Sequence, residues 1–225
     1  MFDGAMSEAR IYVNGKEIGF WPWGYNSFYF DVTPYVNKDG QANTLAVRLE
    51  NRPQSSRWYP GAGLYRNVHL IVTDKIHVPV WGTQITTPHV SKEFAAVRLQ
   101  TRIDNAGEKT QIRMETEILS PDGKVVTRKE NTGRINHGQP FEQNFIVNAP
   151  ELWSPENPSL YKAVSKIYAN NKLVDTYTTR FGIRSIEFIA DKGFYLNGEH
   201  RKFQGVCNHH DLGPLGAAIN VAALR

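Results

Sequence analysis

Lys202 to Gly216 reads KFQGVCNHHDLGPLG, and the fold expected of the C-terminal part of the chain turns on this stretch. Phe203, Gly205, Val206 and Cys207 make a short, mostly apolar run of the kind that forms a strand buried on both faces. The run breaks at once into Asn208, His209, His210 and Asp211, so such a strand delivers polar groups at its C-terminal end. Just ahead of it, Asn197-Gly198 supplies the positive φ angles of a type I′ hairpin turn. Just behind it, a Gly/Pro loop leads to Ile219–Arg225, an Ala/Leu-rich segment able to open a helix. Strand, polar tip, loop and helix predict the first unit of a (β/α)8 barrel, a fold whose chemistry sits at the C-terminal ends of its strands. On this reading the chain stops about one strand into a truncated barrel.

Upstream, the periodicity is that of β-structure. Val97, Leu99, Thr101 and Ile103 alternate with Ala96, Arg98, Gln100 and Arg102, and Ile112, Met114, Thr116 and Ile118 alternate with Gln111, Arg113, Glu115 and Glu117. Turn signals recur at Asn105-Ala106-Gly107, Pro121-Asp122-Gly123 and Asn170-Asn171. Their spacing predicts an immunoglobulin-like sandwich of about 100 residues, acting as a spacer between its neighbours. Asp74–His89, with Pro79 and Pro88, reads as the linker leading into it.

Before the linker, a second sandwich is expected in part. Ile11-Tyr12-Val13 and Ile18 flank the hairpin signal Asn14-Gly15. Leu45, Val47 and Leu49 alternate with polar or small neighbours, and Val68, Leu70 and Val72 repeat the pattern. Met1 is followed at once by Phe2-Asp3-Gly4-Ala5-Met6, which reads as the interior of a domain, so the natural N-terminus is expected upstream. Missing strands would leave an unpaired edge and an uncovered core face. The aromatic run Phe20–Phe30 either fills the core or offers Trp21, Trp23 or Tyr25 as a flat face for a sugar ring, and core filling is preferred. In Arg52–Arg66, two glycines and a proline force a loop that carries Arg57, Trp58 and Tyr59. Trp58 as an interdomain plug and Arg66 paired with a carboxylate are the preferred readings there. Arg57 is balanced between structure and binding.

Composition sets outer limits. The 225 residues suffice for two β-domains and a stub. The net charge of +4 comes from 26 basic and 22 acidic residues without runs of like sign, which is no footprint for nucleic acid. A single cysteine, Cys207, excludes an internal disulfide, and its place in an apolar run favours packing over nucleophilic use. No apolar run approaches the roughly 18 residues of a membrane span.

Four stretches then combine: RWYPGAGLYR (57–66), LWSPENPSLY (152–161), FGIR (181–184), and Asn197-Gly198 followed by GVCNHHD (205–211). In this order, across nearly the whole chain, they resemble glycoside hydrolase family 2, the group of β-galactosidases, β-glucuronidases and β-mannosidases. The Gly-Val-Cys-Asn-His-His-Asp form looks most like the β-galactosidase-type members of gut Bacteroidetes, for which a periplasmic or secreted setting is preferred. The resemblance implies an all-β fragment: a partial jelly-roll sugar-binding domain (1–74), an immunoglobulin-like sandwich (75–187) and the start of the catalytic barrel (188–225). It also implies that His209 lines the sugar pocket, that Asp211 matches an acidic position which contacts the sugar in β-glucuronidase-like members, and that Asn208 is substrate-binding with them. Arg57 would approach from the first domain. Cys207-Asn208 stands where many members have Asn-Arg, and His210 where many have Glu.

A retaining glycosidase needs two carboxyl groups roughly 5 to 5.5 Å apart. In this family both are glutamates on later barrel strands, the acid/base preceded by asparagine, and no Asn-Glu dipeptide occurs in the chain. No catalytic residue and no cofactor is therefore expected within it, with a divalent cation the open candidate for the complete enzyme. The expected partner is a carbohydrate, a β-galactoside or a related glycoside, with no nucleic acid and no membrane. A homo-oligomer would form through the complete protein. Two other readings compete: a non-catalytic carbohydrate-binding sandwich using Trp21, Trp23 and Trp58, and a metal site of His200, His209, His210 and Asp211. Adjacent strand residues point to opposite faces, which argues against the metal site.

Overall fold

The computed structural model describes residues 1–54, 61–135, 140–207, 218 and 220–223. It is all-β, and it divides into two compact units, one of Met1–Val72 with Gly205–Arg225 and one of Thr73–Gln204.

In the first unit, β1 (Ala9–Val13), β2 (Lys16–Trp21) and β3 (Leu45–Arg48) make an antiparallel sheet in the order β2-β1-β3. The β1–β2 turn is Asn14-Gly15, with φ of 49° and 82°, as expected of an Asn-Gly hairpin. Asn14 also reaches sideways, donating from Nδ2 to Tyr35 O (2.9 Å) and accepting at Oδ1 from Thr44 N–H (2.9 Å). Ala9, Ile11 and Val13 point inward with Phe2, Ala5 and Phe28, and Phe28 stacks between Phe2 (4.9 Å) and Trp21 (5.5 Å). Phe28 and Trp21 thus meet the core-filling expectation, whereas Trp23 is 57% exposed. Val68–Val72 departs from expectation. It forms only an isolated bridge, Val68 to Phe2, and Leu70 and Val72 are 80% and 83% exposed. Alternation fixes which residues share a face, but a strand needs a hydrogen-bonded ladder, and these residues have none among the described residues.

In the second unit, β4 (Ile76–His77), β5 (Thr83–Val90), β6 (Phe94–Arg102), β7 (Asp104–Asn105), β8 (Thr110–Leu119), β9 (Val125–Ile135), β10 (Pro140–Asn148), β11 (Tyr161–Ala169) and β12 (Lys172–Phe181) follow in turn. A three-stranded sheet β10-β6-β5 faces a four-stranded sheet β12-β11-β8-β9, and β4 pairs with β7. This is the three-on-four division of an immunoglobulin-like sandwich. The inward residues are those that the alternation picks out: Val97, Leu99, Thr101, Ile112, Met114, Thr116 and Ile118 are all at most 1% exposed. Two apolar clusters fill the interior, one around Leu99, Ile118 and Phe145 and one around Ile103, Met114 and Ile167. Buried polar residues accompany them, and Thr116 and Ser165 satisfy each other across the β8–β11 pair (2.9 Å). The expected linker is largely strand, because Thr83–Val90 is the edge of the smaller sheet. Pro88 is accommodated there by a register shift between Thr86 and His89, as an edge strand permits.

A separate antiparallel sheet, β13 (Ile186–Ile189), β14 (Gly193–Leu196) and β15 (Glu199–Arg201), closes this unit. Its β14–β15 turn is the expected Asn197-Gly198, with φ of 52° and 79°. Among the described residues, the tail therefore completes neither sheet of the sandwich.

Candidate functional site

Two stretches lead up to the expected sugar-contacting residues in sequence, and the structure describes how the flanks of each are anchored. The first is the loop from Arg52 to Arg66. Asn51 Nδ2 donates to Gly61 O (3.1 Å), drawing together the two ends of the segment that holds Arg57. Gly63, at φ 108°, exchanges backbone hydrogen bonds with Met6 (3.1 and 3.2 Å), a conformation that favours glycine. Tyr65 is buried, donates its hydroxyl to Gly24 O (2.8 Å), and has its phenol raised above the usual range, chiefly by burial. Arg66 was expected to pair with a carboxylate. It donates instead to two carbonyls, Tyr25 O (3.0 Å) and Asp3 O (3.3 Å), with its guanidinium 4.9 Å over the Tyr65 ring. Gly61–Arg66 is thus a brace for the loop. Arg57 itself, with Trp58 and Tyr59, lies outside the described residues.

The second stretch is the approach to Asn208–Asp211. Leu152-Trp153 runs beside Ile183, with Trp153 N–H donating to Ile183 O (2.8 Å). Gly182 lies so close to Trp153 that a Cβ there would stand 2.9 Å from the Trp153 Cβ. Arg184 places its guanidinium 4.7 Å from the Trp153 ring, a cation–π contact. Asn197 then ties the third sheet to this corner. Its Nδ2 donates to Trp153 O (3.1 Å), its Oδ1 accepts from Ser185 N–H (3.1 Å), and its own N–H donates to Ser185 O (3.0 Å). Arg201 adds an ion pair to Glu156 (2.6 Å) and another to Glu199 (3.0 Å). The Glu156 carboxyl is held below the usual carboxylate range, first by its own backbone N–H, then by Ser154 and by Arg201. Tyr161, at the start of β11, accepts from Glu151 N–H (2.9 Å), the bond of a tyrosine corner. Two of the four sequence motifs and the Asn197-Gly198 part of a third thus converge on one joint.

Neither the Asn197 nor the Arg201 role was legible beforehand. Asn-Gly announces a turn, but the partners of Asn197 lie 12 and 44 residues away. Replacing Asn197 by alanine removes both side-chain bonds at a left-handed position, and is expected to cost about 1–3 kcal/mol. Faster hydrogen exchange confined to β13–β15 would report it, and unchanged exchange there would exclude the joint.

Beyond β15, expectation and structure part. Residues 203–207 form no strand; Phe203 and Val206 are 75% and 84% exposed, and Cys207 is exposed rather than packed. A barrel strand is buried by neighbouring strands and covering helices, and none stands beside this segment among the described residues. Phe203 leans on Phe194 (4.6 Å), which contacts Phe188 (5.2 Å). In 219–225, the described residues make one turn rather than a helix. Ala223 N–H donates to Asn220 O (3.1 Å), and Asn220 Oδ1 accepts from the N–H groups of Ala222 (3.0 Å) and Ala223 (3.1 Å), as an N-cap does. Asn208, His209, His210 and Asp211 lie outside the described residues, so the structure neither brings His209 and Arg57 together nor separates them. His200 packs edge-on against Tyr195 (5.4 Å), and no group of three potential metal ligands occurs among the described residues.

Comparison with known proteins places this geometry. Residues 78–184 match the family model described as glycosyl hydrolases family 2. A β-galactosidase of Bacteroides ovatus is 41% identical over 228 residues, covering 100% of the chain and 27% of that protein. A β-glucuronidase of Formosa agariphila is 33% identical, covering 91% of the chain and 23% of that protein. Among solved structures, a glycosyl hydrolase family 2 member from Bacteroides cellulosilyticus superposes with a TM-score of 0.94 at 36% identity, over 99% of the chain and 31% of its own. The chain thus spans about a quarter of the length of the relatives it matches.

Proposed function

The chain belongs to glycoside hydrolase family 2, and from that premise we propose that it is a portion of a retaining exo-β-glycosidase of β-galactosidase type. In this reading, residues 1–74 are the later part of a jelly-roll sugar-binding domain, 75–187 the immunoglobulin-like sandwich, and 188–225 the entry to the catalytic barrel. The observation that carries it is the joint at Trp153, Arg184 and Asn197, where the family's motif residues are the ones in mutual contact. A spacer of that kind fixes the direction in which the chain enters the barrel.

His209 and Asp211 are then sugar-contacting residues, helped by Asn208 and by Arg57 from the first domain. Their hydrogen bonds to sugar hydroxyls would strengthen as the oxocarbenium-like transition state forms, which lowers the barrier rather than merely tightening binding. Protonation of the leaving oxygen and attack at the anomeric carbon fall to two glutamates on later barrel strands, so the isolated chain is inactive. A divalent cation and a homo-oligomeric assembly belong to the complete enzyme. The reading as a binding module alone is weaker, because Trp21 stacks on Phe28 and packs against the core of the first unit.

The complete protein is expected to hydrolyse p-nitrophenyl β-galactoside in preference to the β-glucuronide. His209→Ala should lower its kcat/KM roughly 10²- to 10³-fold, the loss seen when a transition-state hydrogen-bonding group is removed. Activity within threefold of the parent enzyme would remove His209 from the sugar pocket.

A further inference from the structure

The outward face of the sheet β10-β6-β5 carries a feature that a spacer does not need. Pro79, Val80, Trp81 and Gly82 form a tight turn just before β5, closed by Gly82 N–H donating to Pro79 O (2.8 Å). Trp81 takes the third position of this turn at φ 56°, the left-handed slot that type II turns reserve for glycine or asparagine. A bulky residue there is a true backbone outlier, and strain of this kind gathers at functional sites. Trp81 is 58% exposed in this position.

Beside the ring is a hollow of about 210 Å³, lined by Trp81, Gly82, Gln84, Gln100 and Arg102 among others. Gln84 and Gln100 stand opposite each other across the β5–β6 pair, so their planar amides share the outward face. The charges around them cancel. Glu142 pairs with Arg98 (2.6 Å) and accepts from Gln100 Nε2 (3.2 Å), and Arg102 Nε lies 3.6 Å from Asp104. An exposed indole beside planar polar groups, without net charge, has the chemistry of a surface for neutral sugars.

We propose that Trp81, Gln84, Gln100 and Arg102 bind one ring of a neutral β-linked oligosaccharide. The indole stacks on the C–H face of the pyranose, while the amides and guanidinium take its hydroxyls. The hollow is smaller than the ~300–1,000 Å³ of pockets that enclose drug-sized ligands, so a single ring is held and the rest of the oligosaccharide stays in solvent. This site requires no catalysis by the chain and does not depend on which glycoside the complete protein cleaves.

The test is calorimetric titration of the 225-residue chain with β-1,4-galactotetraose. Saturable binding with a Kd on the order of 1 mM is expected, equivalent to about −4 kcal/mol. Trp81→Gly should weaken it at least tenfold while the thermal midpoint holds or rises, because glycine suits the left-handed position. Gln84→Ala should weaken it several-fold, and Trp23→Ala in the other unit should leave it unchanged. Absence of saturable binding, full binding by Trp81→Gly, or loss of binding on Trp23→Ala would each overturn the site. None of these outcomes reads hydrolysis, so the glycosidase reading stands or falls separately.

Discussion

Leu99→Ala is expected to destabilise the sandwich by about 2–5 kcal/mol, the range for deleting a fully buried leucine side chain. Leu99 is 0% exposed, sits on the central strand of the β10-β6-β5 sheet between Ile85 and Gln143, and packs with Ile118, Phe145 and Val147. The cost exceeds the transfer of the lost methyl groups because the surroundings cannot collapse. Both neighbouring strands are fixed in register by their ladders, and a void left between two sheets loses contacts on every side. Urea denaturation should show the midpoint falling with little change in slope. Leu70→Ala is the matched control: at 80% exposure its change should stay within about 0.5 kcal/mol. A Leu99 effect as small as that of Leu70 would mean that the two sheets do not share a core.

The parts of the fold that proved legible are those set by neighbours in sequence. Ile112, Met114, Thr116 and Ile118 bury because a pleated strand sends alternate residues to one face, whatever the partner. Asn14-Gly15, Asn170-Asn171 and Asn197-Gly198 turn because their backbones tolerate positive φ, and all six adopt it. What could not be read depends on distant partners. Thr83–His89 passed for linker because the pattern changes around Pro79 and Pro88, yet six residues of β6 pair with this strand. Phe203–Cys207 passed for a buried strand because an apolar run announces burial without supplying the neighbours that bury it. Trp81 drew no attention, since a single tryptophan shows no periodicity and its backbone conformation is a property of the turn. The site residues Arg57, Asn208, His209 and Asp211 were named from motif resemblance, and what the structure adds is the anchoring on either side of them.

The second large effect is all-or-none. A retaining glycosidase passes through an ester between the anomeric carbon and a carboxylate, formed as the leaving group departs. A 2-deoxy-2-fluoro-β-galactosyl fluoride makes that ester while the 2-fluoro group, which disfavours the oxocarbenium-like transition state, slows its hydrolysis. The intermediate therefore accumulates, and the label marks the nucleophile. The chain has 22 acidic residues, but the contacts resolved here use theirs in ion pairs and turns, as Glu156 does with Arg201 and Glu142 with Arg98. The sugar-contacting rim and the reacting carboxylates should thus reside in different parts of the protein.

The decisive measurement is intact-mass spectrometry, with peptide mapping, of the complete protein and of the 225-residue chain after exposure to this reagent. The complete protein should gain a single fluorogalactosyl group on a glutamate after Arg225, and the shorter chain should gain none. A label on any carboxylate between Met1 and Arg225, or a complete protein that hydrolyses galactosides without ever being labelled, would contradict it.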